Sequence, residues 1–188
     1  MQITGGLARG LRIEAPPGNK TRPTSNRVRE SLFAILRDLI PGSRVIDLFA
    51  GSGSLGLEAA SRGAERVFWV EKHPAASALI KQNFARLAPA GVKTEGWVFA
   101  QEVHSWLRAP GVDAADLVFA DPPYDQMRDT EGLQLLLGRV MQSRILKPEG
   151  IMVLEVGKRT PAELPSPWSL LRREEYGSSE LLFLDYSD

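Results

Sequence analysis

Arg44-Val45-Ile46-Asp47-Leu48-Phe49-Ala50-Gly51-Ser52-Gly53-Ser54-Leu55-Gly56 decides the fold. Arg44 to Phe49 reads as a short buried strand. Ala50 to Ser54 is a glycine loop. Leu55 to Arg62 reads as a helix closed by Gly63. Glycines at 51, 53 and 56 match G-x-G-x-x-G between a strand and a helix. That pattern makes a tight turn, lets a ligand approach the backbone, and aims a helix N-terminus at it. NAD, FAD or another nucleoside cofactor fits such a loop.

Strands and helices alternate downstream. Arg66 to Val70 is a second strand and His73 to Leu87 a helix. Trp97 to Ala100 is a third strand, followed by a short helix over Val103–Leu107. Leu117 to Ala120 is a fourth strand. A long helix lies within Glu131–Ile145, and Gly150 to Val156 is a fifth strand. This alternation means a parallel sheet with helices on both faces. After Pro161 it stops. Trp168–Glu175 and Glu180–Tyr186 read as an antiparallel hairpin around Tyr176-Gly177-Ser178-Ser179, a common edge on such sheets. Upstream, Gln2 to Glu14 reads as a hairpin or irregular basic flap. Thr24, Ser25 and Asn26 are capping residues before the helical stripe Val28, Leu32, Ile35, Leu36, Leu39.

Acidic residues stand at the strand ends. Asp47 lies four residues before Gly51, where a carboxylate repels a pyrophosphate but suits a cationic or hydroxyl-bearing ligand. S-adenosylmethionine carries an α-ammonium group and no phosphate. A turn-capping carboxylate is the competing reading of Asp47. Glu71 ends the second strand, where a carboxylate reaches ribose hydroxyls; a surface Glu paired with Lys72 or Arg66 competes. After the third strand, Glu102 is placed to accept from an adenine amino group and the Val103 N–H to serve the ring nitrogen. A Glu that merely begins a helix competes there.

Asp121-Pro122-Pro123-Tyr124 follows the fourth strand directly. Two prolines rigidify the loop and cannot donate to a ladder. They leave two fixed acceptors, the Asp121 carboxylate and the Pro122 carbonyl. Holding both hydrogens of an exocyclic amine favours a pyramidal nitrogen with a free lone pair. Tyr124 offers a stacking face for an extracted base. The competing reading is a rigid turn with a packed tyrosine.

The chain has 188 residues, 43% apolar and 24% charged, enough for one domain with a core of its own. It has no cysteine, which excludes disulfides, zinc–thiolate sites and a thiol nucleophile. His73 and His104 have no ligand spacing, so no metal is expected. No apolar run approaches the ~18 residues of a membrane span, and a cytoplasmic location is expected. Net charge is zero, with 23 basic and 23 acidic residues. Residues 1–38 nevertheless carry seven basic side chains against Glu14, Glu30 and Asp38, an excess of +4 over a body of −4. Such an arm suits an anionic partner; a solvated basic face competes.

The Asp47-Leu-Phe-Ala-Gly-Ser-Gly and Asp121-Pro-Pro-Tyr motifs together resemble amino-directed S-adenosylmethionine-dependent methyltransferases. Arg22-Pro23-Thr24-Ser25-Asn26-Arg27-Val28-Arg29-Glu30-Ser31-Leu32-Phe33, Gly56-Leu57-Glu58-Ala59-Ala60-Ser61-Arg62-Gly63-Ala64 and Trp168-Ser169-Leu170 narrow the resemblance to the RsmD family. It spans nearly the whole chain. It departs at Glu102, where an Asp or Asn is more typical.

The resemblance implies a Rossmann-like class I methyltransferase of the α/β class. Its seven-stranded, mostly parallel sheet ends in the antiparallel hairpin. A hairpin-and-helix extension (1–40) precedes the methyltransferase domain (41–188). The implied reaction is methylation of the exocyclic N2 of one guanine in 16S ribosomal RNA. The implied partner is the small ribosomal subunit or an assembly intermediate, met by a monomer. Asp121, Pro122 and Tyr124 are the expected catalytic group. Asp47, Phe49, Gly51, Gly53, Glu71, Glu102 and Val103 are expected around the cofactor. Thr24 and Arg27 are candidates for the wall at its methionine end. Arg9, Arg12, Arg22 and Arg29 are expected to face RNA phosphates. Three rivals stand beside this reading: a DNA adenine-N6 or cytosine-N4 methyltransferase, a nicotinamide oxidoreductase, and a non-catalytic RNA-binding module. Lack of room for a target-recognition domain weighs against the first, and the Asp-Pro-Pro-Tyr loop against the second.

Overall fold

The computed structural model describes residues 1–15, 26–123, 127, 130–158 and 164–186. Its strands are β1 (Arg44–Leu48), β2 (Arg66–Val70), β3 (Glu95–Phe99), β4 (Ala115–Ala120), β5 (Leu146–Gly157), β6 (Trp168–Tyr176) and β7 (Ser179–Tyr186). They form one sheet in the order β3-β2-β1-β4-β5-β7-β6. β3, β2, β1, β4 and β5 pair in parallel, and β7 pairs antiparallel with both β5 and β6. The expected mostly parallel seven-stranded sheet with its terminal hairpin is therefore observed. Strand order reverses between β1 and β4, so the crevice beyond their carboxyl ends is the natural ligand site.

The helices are α1 (Asn26–Ile35), α2 (Ser54–Ser61), α3 (Pro74–Ala85), α4 (Val103–Trp106) and α5 (Thr130–Ser143). α1 is shorter than its apolar stripe predicts: after Ile35 the chain continues in tight turns, with Leu39 donating to the Leu36 carbonyl. β5 is longer than the expected Gly150–Val156. Its first residues pair at Leu146↔Ala115, and the register then jumps to Ile151↔Leu117. Lys147-Pro148-Glu149-Gly150 forms the irregularity, as a proline without an N–H requires.

Two hydrophobic layers lie on opposite faces. One joins Ile46, Leu48, Val70 and Val118 to Trp106 and the α5 residues Leu133, Leu136 and Leu137. The other joins Val45, Val67, Phe119 and Val153 to Leu57, Phe33 and Leu36. Each such fully buried side chain contributes about 1.5–3 kcal/mol relative to exposure. The strand residues alternate between layers, as a strand with period two requires.

The amino-terminal arm belongs to the second layer. Gln2 and Arg12 form an antiparallel bridge, and Ile3 donates to the Leu11 carbonyl, as a hairpin should. Its apolar side, Ile3, Ala8 and Ile13, is buried beside Phe33. A buried carboxylate on α2 anchors it: Glu58 accepts from the Thr4 N–H (2.9 Å), the Thr4 hydroxyl (2.7 Å) and Arg62 Nε (2.9 Å).

Arg29 requires a correction. Expected to face RNA phosphates, it is fully buried. Its guanidinium donates to the Gln2 carbonyl and to Asn26 Oδ1, and lies 3.8 Å from Glu58. Burial pulls its pKa down, while the Glu58 charge opposes that fall. α1 turns this residue inward with Leu32 and Phe33, so it ties the arm to α1 and has no surface to offer a nucleic acid. Arg9, Arg12 and Arg27 are exposed. Arg22 and Thr24 lie outside the described residues.

Candidate active site

The loop after β1 is built by close packing. Phe49 adopts φ +56°, a left-handed conformation uncommon for a bulky residue. Such strain persists only where surrounding structure holds it. Two ties do so here: the Ala50 N–H donates to the Val70 carbonyl, and the Gly51 N–H donates to Glu71 Oε2 at 2.8 Å. Gly53 begins α2 with φ +75°, and its carbonyl accepts from the Trp69 indole at 3.2 Å. Gly56 lies inside α2, where an added Cβ would stand 2.2 Å from Trp69 Nε1. Two glycines thus serve helix-on-strand contact. At Gly51 an added Cβ would meet only the Phe49 carbonyl, at 3.9 Å. That corner of the loop is open to a ligand.

Asp47 is buried, and its Oδ2 accepts from the Gly56 N–H at 2.9 Å. The turn-capping role weighed as its competing reading is thus realised. Burial pushes its carboxyl up to about 8 against the opposing Gly56 bond, and the charges of Asp121 and Glu71 push the same way. The charges at the ends of β2 and β4 therefore reach Asp47 across the crevice.

Glu71 is also buried, and both its oxygens are held by backbone. Oε2 accepts from Gly51 and Oε1 from the His73 N–H, each at 2.8 Å. The surface pairing with Lys72 or Arg66 does not occur; Arg66 pairs with Glu65 and Glu95 instead. Each carboxylate oxygen keeps a second lone pair, so the fixed Glu71 can still accept from a ligand hydroxyl.

Glu102 caps α4. Its oxygens accept from the His104 N–H (3.0 Å) and the Ser105 N–H (2.8 Å). Burial pushes its carboxyl up, but these two bonds and the neighbouring imidazole outweigh it and hold the group low. Glu102 is therefore an ionised acceptor. Val103 opens the helix, where its N–H has no intrahelical partner. The His104 ring stands edge-on to Phe49, with centroids 6.2 Å apart, bridging the loops after β1 and β3. Sequence reasoning did not single out His104.

Asp121 is half-buried directly after β4, and Pro122 is buried beside it. Burial pushes the Asp121 carboxyl up to about 8, and the negative charge of Glu155 adds to this. Glu155 also escaped the sequence reading, though a signal was there: an acid near the carboxyl end of Ile151-Met152-Val153-Leu154-Glu155-Val156, the pattern already seen at Asp47, Glu71 and Asp121. Tyr124 lies outside the described residues. Among the described residues no ion pair reaches Asp47, Glu71 or Asp121, and no cluster of metal-ligating side chains is found.

A family model described as conserved hypothetical protein 95 matches residues 1–185. Ribosomal RNA small subunit methyltransferase D of Haemophilus influenzae is 33% identical over 178 residues, covering 94% of this chain and 89% of that one. The protein of the same name from Escherichia coli K12 is 34% identical over 179 residues, covering 94% and 85%. The chain belongs to the RsmD family. Among solved structures, yhhF of Escherichia coli superposes with a TM-score of 0.82 at 32% identity, covering 100% of this chain and 98% of that one. The family membership covers the arm and the strand-end loops alike.

Proposed function

We propose that this RsmD-family chain transfers a methyl group from S-adenosylmethionine to the exocyclic N2 of a guanine in 16S ribosomal RNA, within the small subunit or an assembly intermediate of it. The observation that carries this reading is the row of strand-end carboxylates ending in the Asp121-Pro122 loop, with no described cation to neutralise it. Two relatives named ribosomal RNA small subunit methyltransferase D support small-subunit ribosomal RNA as the substrate.

The donor set suits this cofactor better than a dinucleotide. A pyrophosphate would meet the carboxyls of Asp47 and Glu71, whereas the α-ammonium group of S-adenosylmethionine would be attracted by them. Glu71 would hold the ribose hydroxyls, Glu102 and the Val103 N–H the adenine edge, and the open corner at Gly51 the backbone-facing side. Phe49 would pack beside the nucleoside. Thr24 and Arg27 are proposed at the methionine end. S-adenosylmethionine supplies a methyl carbon on a positive sulfur, which keeps the C–S electron pair as the new N–C bond forms.

The chain's own residues would align and stabilise. Asp121 and the Pro122 carbonyl each accept one hydrogen of the target amine, so the nitrogen lone pair points at the methyl group. Tyr124 would stack on the extracted base. The amine becomes acidic only as its bond to carbon forms, and the ionised form of Asp121, made a stronger base by its surroundings, would receive that proton. No covalent intermediate with the protein is needed. Alignment and preorganised electrostatics would carry the rate. The arm (residues 1–40) would face RNA through Arg9, Arg12 and Arg22, set on the domain formed by residues 41–188.

Nucleoside mass spectrometry of 16S RNA from a strain lacking the protein tests the reading. One N2-methylguanosine should be missing and should return with the wild-type gene. Unchanged RNA, or a missing methyl group in DNA, would contradict it.

A further inference from the structure

Phe119 on β4 and Val153 on β5 are register partners, and both face the layer that contains α1 and the amino-terminal arm. Two residues further along each strand, on the same face, stand Asp121 and Glu155. The intervening pair, Ala120↔Leu154, is in register and faces the other layer. Asp121 and Glu155 are thus successive same-face neighbours of a paired row, on adjacent parallel strands ~4.8 Å apart. Both are half-buried, while Leu154 and Val156 on either side of Glu155 are buried.

We infer that Glu155 is a specificity-determining residue: together with Asp121 it presents two adjacent carboxylates that select a base with a protonated ring nitrogen beside its amino-bearing carbon. This rests on the amine-methylation reading and narrows it to guanine on physical grounds. Guanine carries N1–H next to the carbon that bears N2. Adenine carries an unprotonated N1 next to the carbon that bears N6, and cytosine an unprotonated N3 next to the carbon that bears N4. With Asp121 and Pro122 holding the amine, the next acceptor along the edge meets N1–H in guanine. In adenine or cytosine it meets a lone pair. Two acceptors set face to face repel each other and leave the base nitrogen without a donor, which is costly where water is excluded. The charge of Glu155 already reaches Asp121, where it adds to the effect of burial. This agrees with the closeness that the register implies. The pair also lies on the face that carries the basic arm, the side from which an RNA held by Arg9 and Arg12 would present a base.

The test uses the full chain and small-subunit RNA substrates carrying either guanine or 2-aminopurine at the target position. 2-Aminopurine keeps the amino group and lacks N1–H. Single-turnover methylation by the wild type should favour guanine by ~10–100-fold, the discrimination of one or two base-edge hydrogen bonds. Glu155→Gln carries an amide that donates to the bare N1, so the ratio should collapse to within a few-fold. Glu155→Asp, with its carboxylate drawn back, should narrow it as well, and S-adenosylmethionine titration checks that both variants are folded. A wild type that methylates both bases equally overturns the inference without recourse to any variant. A ratio unmoved in folded Glu155→Gln overturns it too, while guanine methylation itself would stand. A wild type that methylates neither base fails at the underlying reading instead.

Discussion

The Gly51 N–H donates to Glu71 Oε2 at 2.8 Å, so the glycine loop after β1 is tied to the residue that ends β2. The other Glu71 oxygen accepts from His73, the residue that precedes α3. One carboxylate therefore sets the relative positions of two loops and offers its remaining lone pairs to the crevice. Glu71→Ala should weaken S-adenosylmethionine binding by ~1–3 kcal/mol, about 5- to 150-fold in Kd, and also lower the melting temperature. Calorimetric titration beside thermal unfolding checks both effects. Unchanged affinity would remove Glu71 from the cofactor site.

Gly56 is a second lever on the same loop. An Ala there would press its Cβ into the Trp69 indole, and α2 could not stay seated on β2. Gly56→Ala should destabilise the protein by roughly 1–3 kcal/mol, as overpacking in a dense core does. The strain falls on the helix whose Gly56 N–H Asp47 caps, so cofactor affinity should fall with it. Urea unfolding measures the first effect and titration the second. A variant as stable as the wild type would mean that the helix can shift without cost.

Burial and neighbouring charge hold Asp47 and Asp121 near 8, whereas in the unfolded chain each ionises near the ordinary aspartate value of about 4. Between those values the native state binds more protons than the unfolded state, so stability should fall as pH rises from about 4 to about 8. Asp121→Asn removes one of these groups. Relative to the wild type, the variant should gain melting temperature at pH 8.5 and gain little at pH 4. Each ~1 kcal/mol of that difference corresponds to about 2–4 °C in a domain of this size. A difference that does not change with pH would mean that Asp121 is ionised throughout.

The exposed and buried arginines of the arm should separate cleanly. Replacing Arg9 and Arg12 with Gln should weaken RNA binding and lower the salt slope by roughly 1.5–2, since two counterion-releasing contacts are lost. Melting temperature should hold. Arg29→Met should do the reverse: it leaves Glu58 with less compensation inside the protein and is expected to cost about 3–5 kcal/mol, as breaking a buried pair does. Filter binding over a salt series and thermal unfolding distinguish the two. Arg29→Met with wild-type stability and weakened RNA binding would restore it to the interface.

Most of the architecture was legible because period and punctuation agree along the chain. The strands at 44, 66 and 117, the glycine loop and the closing hairpin each lie within a few residues of their expected bounds. The strand-end acids were legible as a pattern, but their partners were not. Nothing local says that Asp47 reaches Gly56, or that Glu102 turns back on the amides of its own helix. Arg29 misled for a related reason. In sequence it is one of a run of arginines, and only the packing of α1 against the arm and Glu58 decides that this one faces inward. Glu155 went unread because a single acid in an apolar strand gains meaning only when the register sets it beside Asp121.

The central claim is that Asp121 grips the target amine, and single-turnover methyl transfer to small-subunit RNA tests it most directly. The rate should be measured with S-adenosylmethionine binding determined in parallel. The account predicts the order wild type, then Asp121→Asn, then Asp121→Ala, with the alanine variant slower by ~10²–10³ or more, as when one preorganised electrostatic contact is lost. Cofactor affinity should change little across the three. An alanine variant that transfers methyl groups as fast as the wild type, with chemistry shown to limit the rate, would contradict the account and leave the Asp121-Pro122-Pro123 loop a rigid turn.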